Sequence, residues 1–307
     1  MSMIEEKVAI GKKLVWARKP YLPDDTSLID FVGREEELKM VGAAWISNSL
    51  SQPLAPLLVG APGCGKNRIV FEMAKRMGLD LYVCQGYENI TAEELACSLL
   101  PADEGNGRIE YLISTLATAM FKGGICFIDE IGKFPGKALA LLASVLDDRR
   151  YIDLDLIGER IHAHPQFRFV AATNSEDMEG LPDFVRSRLF PLIRVDKPEP
   201  EMINSIIKHQ FPSQQQSMAK LLNSFWSLWD KNCYEGESPS PRDVIQIFSL
   251  AAKLADYDGA GVALKTGKKT QGKGHLSTQS AGGGKLCKEH LERALMQFRE
   301  MQGTIPC

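Results

Sequence analysis

Residues Leu57–Lys66 read LLVGAPGCGK, and this stretch decides the fold. The apolar run Leu57-Leu58-Val59 meets Gly60. Gly65-Lys66 then opens a helical pattern in which Ile69, Val70, Met73, Ala74 and Met77 share one face. Strand, glycine-rich turn and helix, in that order, form the context of a phosphate loop. Gly60, Gly63 and Gly65 allow the backbone to turn tightly enough to aim successive N–H groups at phosphate oxygens. The helix start adds its positive dipole end, and Lys66 is a point charge for the terminal phosphates. The candidate nucleotide-binding residues here are Gly60, Ala61, Pro62, Gly63, Cys64, Gly65, Lys66, Asn67 and Arg68. Asn67 departs from the pattern, which places Ser or Thr after the lysine as a Mg²⁺ ligand. An amide carbonyl is also an oxygen ligand for a hard cation, but its altered reach loosens the metal. Nucleotide binding survives that change more easily than hydrolysis.

Downstream, Gly124–Glu130 (GICFIDE) is an apolar run ending in two carboxylates. A buried parallel strand delivers acids to the C-terminal edge of its sheet in this way. In a phosphate-loop enzyme the first acid, Asp129, orients Mg²⁺, and the second, Glu130, polarises the attacking water. Phe167–Thr173 reads as a further strand ending at Asn174, an uncharged amide able to hold that water.

The remaining stretches supply the frame. Residues Met1–Ile29 show no clear periodicity, and Pro20 and Pro23 mark an extended linker. A helix is predicted over 35–50, with Phe31-Val32-Gly33-Arg34 before it, and a strand over 81–84. Helices are predicted at 92–99, with Thr91 and Glu94 as a capping box, then at 111–120 and 137–146. Residues 151–163 alternate as a β-hairpin with a polar face, where His162 and His164 read as solvated. A short helix at 182–190 (PDFVRSRLF) carries Arg186 and Arg188. Beyond Pro198 and Pro200, helices are predicted at 201–210, 218–229, 241–254 and 287–301. Residues 259–288 hold six lysines, no acids and many Gly, Ser and Thr, a composition that reads as a flexible loop or a basic contact.

Bulk properties narrow the function classes. The 307 residues are 44% hydrophobic and 24% charged, as in an ordinary globular protein. A formal net charge of −3 gives no overall basic field, which argues against a dedicated nucleic-acid binder. No apolar stretch is long enough to span a bilayer, and no signal peptide is visible. The seven cysteines lack paired metal-ligand spacing. A reducing cytoplasm is the expected setting.

Taken together, the motifs resemble those of the AAA+ ATPases, and within them the MoxR group, on the side of its NorQ/CbbQ-type branch. GAPGCGKN is similar to the family's Walker A and CFIDE to its Walker B. Thr173-Asn174 resembles sensor 1, VRSRLF the arginine-finger segment, and Ser240-Pro241-Arg242 sensor 2. The hairpin at 151–163 resembles the insertion that MoxR-type proteins carry before sensor 1. The resemblance covers about residues 31–254 and the last helix; it does not extend to the lysine-rich stretch.

The resemblance implies an α/β fold, a five-stranded parallel sheet flanked by helices, followed by a helical lid. It implies three regions: a linker at 1–30, a nucleotide-binding domain at 31–197, and a lid at 198–307 with the loop at 259–288. It implies ATP and Mg²⁺ as cofactors, with Asn67 and Asp129 at the metal. Val32 and Gly33 would lie near the adenine, and Arg242 would touch the nucleotide from the lid. Arg188, with Arg186 as second candidate, would reach a neighbour's γ-phosphate in a homo-oligomeric ring, expected to be hexameric. The implied activity is ATP hydrolysis coupled to remodelling a partner protein, often one with a von Willebrand factor A domain. Two alternatives stand beside it: a nucleotide-gated scaffold with slow or no hydrolysis, and a nucleic-acid-directed motor or defence-system ATPase.

Overall fold

The structure, a computed structural model, describes residues 4–22, 31–48, 51–101, 109–232, 238–259 and 284–302. The chain forms two compact units, residues 1–196 and 197–307. In the first, strands β1 (Ile4–Ile10) and β2 (Lys13–Arg18) precede helix α1 (Glu35–Ala44), strand β3 (Ala55–Val59), helix α2 (Lys66–Met77) and strand β4 (Leu81–Gln85). Helix α3 (Ala92–Ala96), strands β5 (Cys97–Pro101) and β6 (Ile109–Ile113), helix α4 (Thr115–Lys122) and strand β7 (Ile125–Asp129) follow. Short helices α5 (Gly136–Leu139) and α6 (Leu142–Leu146) lead to the hairpin β8 (Tyr151–Leu154) and β9 (Glu159–His162). Strand β10 (Arg168–Thr173), helix α7 (Asp183–Arg186) and strand β11 (Leu189–Arg194) complete the unit.

Five of these strands form a parallel sheet in the order β11-β3-β10-β7-β4. Their apolar runs are explained by two cores, one on each face. Alternate residues go to opposite sides: Leu57 and Val59, Cys126 and Ile128, Phe169 and Ala171 enter one core. Leu58, Ile125, Phe127, Val170 and Ala172 enter the other, where they meet Leu38 and Val41 of α1 and Ile69, Val70 and Met73 of α2. The chain moves outward from β3 to β4, returns through β7 and β10, and places β11 on the far side of β3. The direction of winding therefore reverses beside β3, which opens a crevice at the C-terminal strand ends.

The structure corrects several local expectations. Residues 4–18 are an antiparallel hairpin rather than a linker, and it joins β6 and β5 in a four-stranded sheet ordered β1-β2-β6-β5. Its alternating Val15 and Ala17 are fully buried, a period-two signal hidden by the surrounding lysines. Lys7 Nζ donates to Glu110 Oε1 at 2.5 Å, and Trp16 Nε1 donates to the other oxygen of the same carboxylate. The helix predicted to Leu99 ends at Ala96, with its Thr91–Glu94 capping box in place. The helix predicted from Tyr111 starts only after Ser114, whose hydroxyl accepts from Ala117 N–H at 3.0 Å. Between them β5 and β6 pair over five residues each, so cross-strand hydrogen bonding overrides the helical reading. The helix over 35–50 stops at Ala44, and that over 137–146 divides into α5 and α6. Helix α7 is shorter than predicted, and β11 follows it as a strand containing Pro191. A proline inside a strand argues against a central position, and β11 indeed lies at the sheet edge.

In the second unit, helices α8 (Pro200–Gln210), α9 (Gln215–Asn232), α10 (Pro241–Gly259) and α11 (Lys288–Met301) surround their own core. Phe225 is at its centre, with ring centroids 5.2 Å from Trp226, 5.8 Å from Trp229 and 5.5 Å from Phe248. At its edge two glycines meet: a Cβ on Gly259 would lie 2.7 Å from the Cα of Gly284. Most of the lysine-rich stretch, 260–283, lies outside the described residues. No helix among the described residues is long and apolar enough to cross a membrane.

Candidate functional site

Strand β3 ends at Val59, and the chain turns at once through Gly60–Gly65 into α2. Gly60 is required by crowding, because a Cβ there would sit 2.1 Å from the carbonyl oxygen of Val195. Gly65 is required by backbone geometry, with φ of 105° at the cap of α2. Among the described residues, no hydrogen bond engages the N–H groups of Gly63, Gly65 or Lys66. These free donors gather at a helix start, where the dipole favours an anion.

Lys66 is only 7% exposed. Its ammonium donates to Gly60 O at 2.6 Å, Ala61 O at 3.1 Å and Asn174 Oδ1 at 3.1 Å. All three acceptors are uncharged, and no carboxylate pairs with this lysine among the described residues. A buried cation without a counter-charge is costly, and an anionic ligand removes that cost through charge-assisted hydrogen bonds.

The neighbouring strands deliver the other groups. Strand β7 ends at Asp129, whose Oδ1 accepts from Glu130 N–H at 3.0 Å and whose Oδ2 accepts from Asn67 Nδ2 at 2.8 Å. A carboxylate can only accept here, so the amide nitrogen of Asn67 faces Asp129 and its carbonyl oxygen is turned away. Glu130 adopts a left-handed conformation with φ of 54°, and its side chain is ion-paired with Lys133. Strand β10 ends at Thr173, whose Oγ1 is buried and unpartnered among the described residues. Asn174 follows, with its Nδ2 donating to Asp177 Oδ2 at 3.4 Å. The sheet thus brings Lys66, Asn67, Asp129, Glu130 and Asn174 to one edge. Asp129 supplies the hard carboxylate oxygen that Mg²⁺ prefers and so fits that ion, whereas Asn67 presents its amide nitrogen to that carboxylate and its oxygen elsewhere.

The segment before α1 reaches the same loop. Gly33 has φ of 73° and Arg34 has φ of 64°. The Arg34 guanidinium donates to Cys64 O at 3.1 Å and also to Asp196 O, while Glu37 Oε1 accepts from it at 2.8 Å. Val32 and Gly33 are thereby tethered beside the glycine-rich loop. The sequence reading missed Arg34; its signal was the Arg34–Glu37 spacing across a helix start. Arg68 lies further along α2, where burial pushes its guanidinium pKa down, partly offset by Glu72.

Arg186 and Arg188 are not brought to this edge. Leu189 pairs with Ala55, at the start of β3, while the glycine-rich loop follows Val59 at its end. Four strand residues at about 3.3 Å each separate the two edges. Arg188 Nη1 donates to Phe184 O at 2.5 Å and its Nη2 lies 4.0 Å from Asp147 Oδ2, while Arg186 pairs with Asp183. Arg242 belongs to the second unit, exposed at the start of α10 behind a reciprocal Ser240–Asp243 cap.

Comparison with known proteins agrees with this fold. Residues 56–189 match the family model described as AAA domain (dynein-related subfamily). NorQ of Paracoccus denitrificans is 33% identical over 213 residues, spanning 67% of this chain and 77% of that protein. The chain belongs to the NorQ/CbbQ-type branch of the AAA+ ATPases. CbbQ of Hydrogenophilus thermoluteolus is 30% identical over 54% of this chain, and the match spans 62% of CbbQ. The denitrification regulatory protein NirQ of Stutzerimonas stutzeri is 31% identical, with 58% of its length covered. Among solved structures, the RuvB Holliday junction branch migration motor of Thermotoga maritima superposes with a TM-score of 0.52. That match has 15% identity and covers 90% of this chain and 72% of RuvB. The FIGL-1 AAA domain in complex with ADP also gives 0.52, at 16% identity, covering 91% of this chain and 86% of that one. At such identities the likeness concerns the fold: a P-loop α/β core with helices following it.

Proposed function

We propose that this AAA+ chain binds and hydrolyses ATP with Mg²⁺ in a homo-oligomeric, hexameric ring, and that hydrolysis remodels or activates a partner protein. A partner bearing a von Willebrand factor A domain is the first class to test. The observation that carries nucleotide binding is Lys66, a nearly buried ammonium held by neutral oxygens amid free loop amides.

In this reading Gly63, Gly65 and Lys66 cradle the phosphates, with Ala61, Pro62, Cys64, Asn67 and Arg68 shaping the loop. Val32 and Gly33 lie toward the base. Asp129 would hold Mg²⁺, joined by the Asn67 carbonyl only once that amide turns over and releases the carboxylate, and the ion would supply neutralising charge at the phosphates. Glu130 accepts a proton from the attacking water once it leaves Lys133, and Asn174 orients that water. Arg188, with Arg186 beside it, acts on a neighbour's nucleotide, because its own loop lies at the opposite sheet edge. Arg242 senses the nucleotide from the second unit. A scaffold with slow hydrolysis is the second reading, favoured by the Asn67–Asp129 hydrogen bond, which occupies a metal-ligand carboxylate.

Titration calorimetry of ATP into Lys66→Ala tests the nucleotide assignment. Most of the affinity is expected to vanish; unchanged affinity overturns it. Steady-state hydrolysis by the wild-type chain, measured as released phosphate, separates the two readings.

A further inference from the structure

The second unit contains a cluster that nucleotide chemistry does not use. Cys287 precedes α11, His290 lies in its first turn, and Asp258 comes from the last turn of α10. Cys287 Sγ is 3.2 Å from His290 Nδ1, and His290 Nε2 is 3.3 Å from Asp258 Oδ2. The backbone N–H of Cys287 also donates to Nδ1, at 3.2 Å. With Nε2–H toward the carboxylate, Nδ1 is the acceptor nitrogen, its one lone pair shared between the Cys287 N–H and the thiol. The thiol proton has a base in reach, and the resulting imidazolium has an anion behind it. This is the arrangement of an activated nucleophile: thiol, base and orienting acid in series.

We propose that Cys287, His290 and Asp258 form a reactive thiol site that exchanges with low-molecular-weight disulfides. The proton of the Cys287 thiol passes to His290 Nδ1, and the thiolate attacks one sulfur of the disulfide. A new S–S bond forms at Cys287 as the old one breaks, and the released thiolate takes the proton from His290. The disulfide is the oxidant, and one of its halves leaves as a thiol. Partial exposure of Cys287 gives access. The other described cysteines differ: Cys64, Cys97 and Cys126 are buried, and burial pushes the Cys84 thiol up to about 11. The charged groups around the site are Asp258 and Arg293, which share an ion pair at 2.9 Å, with Lys288 paired to Glu292 on the outer side of α11. This inference is independent of the proposed ATPase activity.

The test treats the full chain with glutathione disulfide at pH 7 and follows each cysteine by peptide mass spectrometry. Cys287 is expected to form the mixed disulfide about ten-fold or more faster than Cys84. His290→Ala should remove that advantage. His290→Gln keeps an acceptor for the helix start but no base, so it should lose the advantage equally. Equal rates at Cys287 and Cys84, or wild-type reactivity in His290→Gln, overturns the proposal.

Discussion

At the residue scale, the site is a set of side chains each placed at the end of a regular element. Lys66, Asp129, Glu130 and Asn174 were legible in the sequence for that reason: each follows an apolar run whose period identifies the strand or helix. What the sequence did not display was their mutual bonding. Asn67 and Asp129 are far apart in the chain, yet Asn67 donates to the carboxylate at 2.8 Å. Replacing that amide with a hydroxyl, Asn67→Thr, frees Asp129 and provides a small oxygen at the distance Mg²⁺ requires, about 2.0–2.1 Å. Turnover should rise and the Mg²⁺ needed for half-maximal rate should fall, while ATP affinity stays close to that of the parent chain. Superimposed Mg²⁺ titrations of the two forms would show that Asn67 is neutral. Glu130 makes a separate prediction. Glu130→Gln keeps the shape but cannot accept the proton, so ATP should bind and hydrolysis should fall by about 10²–10⁴. Single-turnover hydrolysis beside an equilibrium binding measurement distinguishes loss of chemistry from loss of site; wild-type turnover places the base elsewhere.

At the scale of elements, the parallel sheet was readable because its inner strands are apolar on both faces, whereas the second sheet was not. Its strands are short, polar on one side and drawn from segments almost a hundred residues apart, so no local window contains the pairing that makes them strands. Glu110 ties this sheet together by accepting from Lys7 and Trp16. The Lys7 hydrogen bond, reinforced by Trp16, holds the Glu110 carboxyl below its usual range. A pKa lowered on folding means the link stabilises above the ordinary carboxylate value, about 4.3, and is lost as pH falls through the lowered folded value. Glu110→Gln should therefore lower the denaturation midpoint at pH 7 modestly, since the pair is solvent-screened, and have little effect near pH 3. A difference that persists undiminished in acid would mean that the contact acts by packing. Strand β11 escaped the reading for a different reason: Pro191 looks like an interruption until the strand is known to be an edge.

For the whole molecule, the disposition of arginines matters most. Arg188 lies at the sheet edge opposite the glycine-rich loop of its own chain, a fact that needed the register of β11 against β3. If it serves a neighbour, Arg188→Ala should bind ATP and lose on the order of 10³ in rate or more. Mixing it with Lys66→Ala subunits should restore part of the activity, because an intact loop can then meet an intact arginine. Mixed assemblies as inactive as either parent would remove the role in trans. The division into residues 1–196 and 197–307 concerns a different property of the chain. Gly259 and Gly284 meet at the rim of the helical unit, so the chain leaves α10 and returns to it at almost the same point. Closure entropy grows only with the logarithm of length, so joining two such abutting ends through a segment twice as long costs only about 0.6 kcal/mol more. The junction is therefore a natural port for splicing: a cargo module exchanged between Gly259 and Gly284 should leave the thermal midpoint of the helical unit close to that of the parent chain.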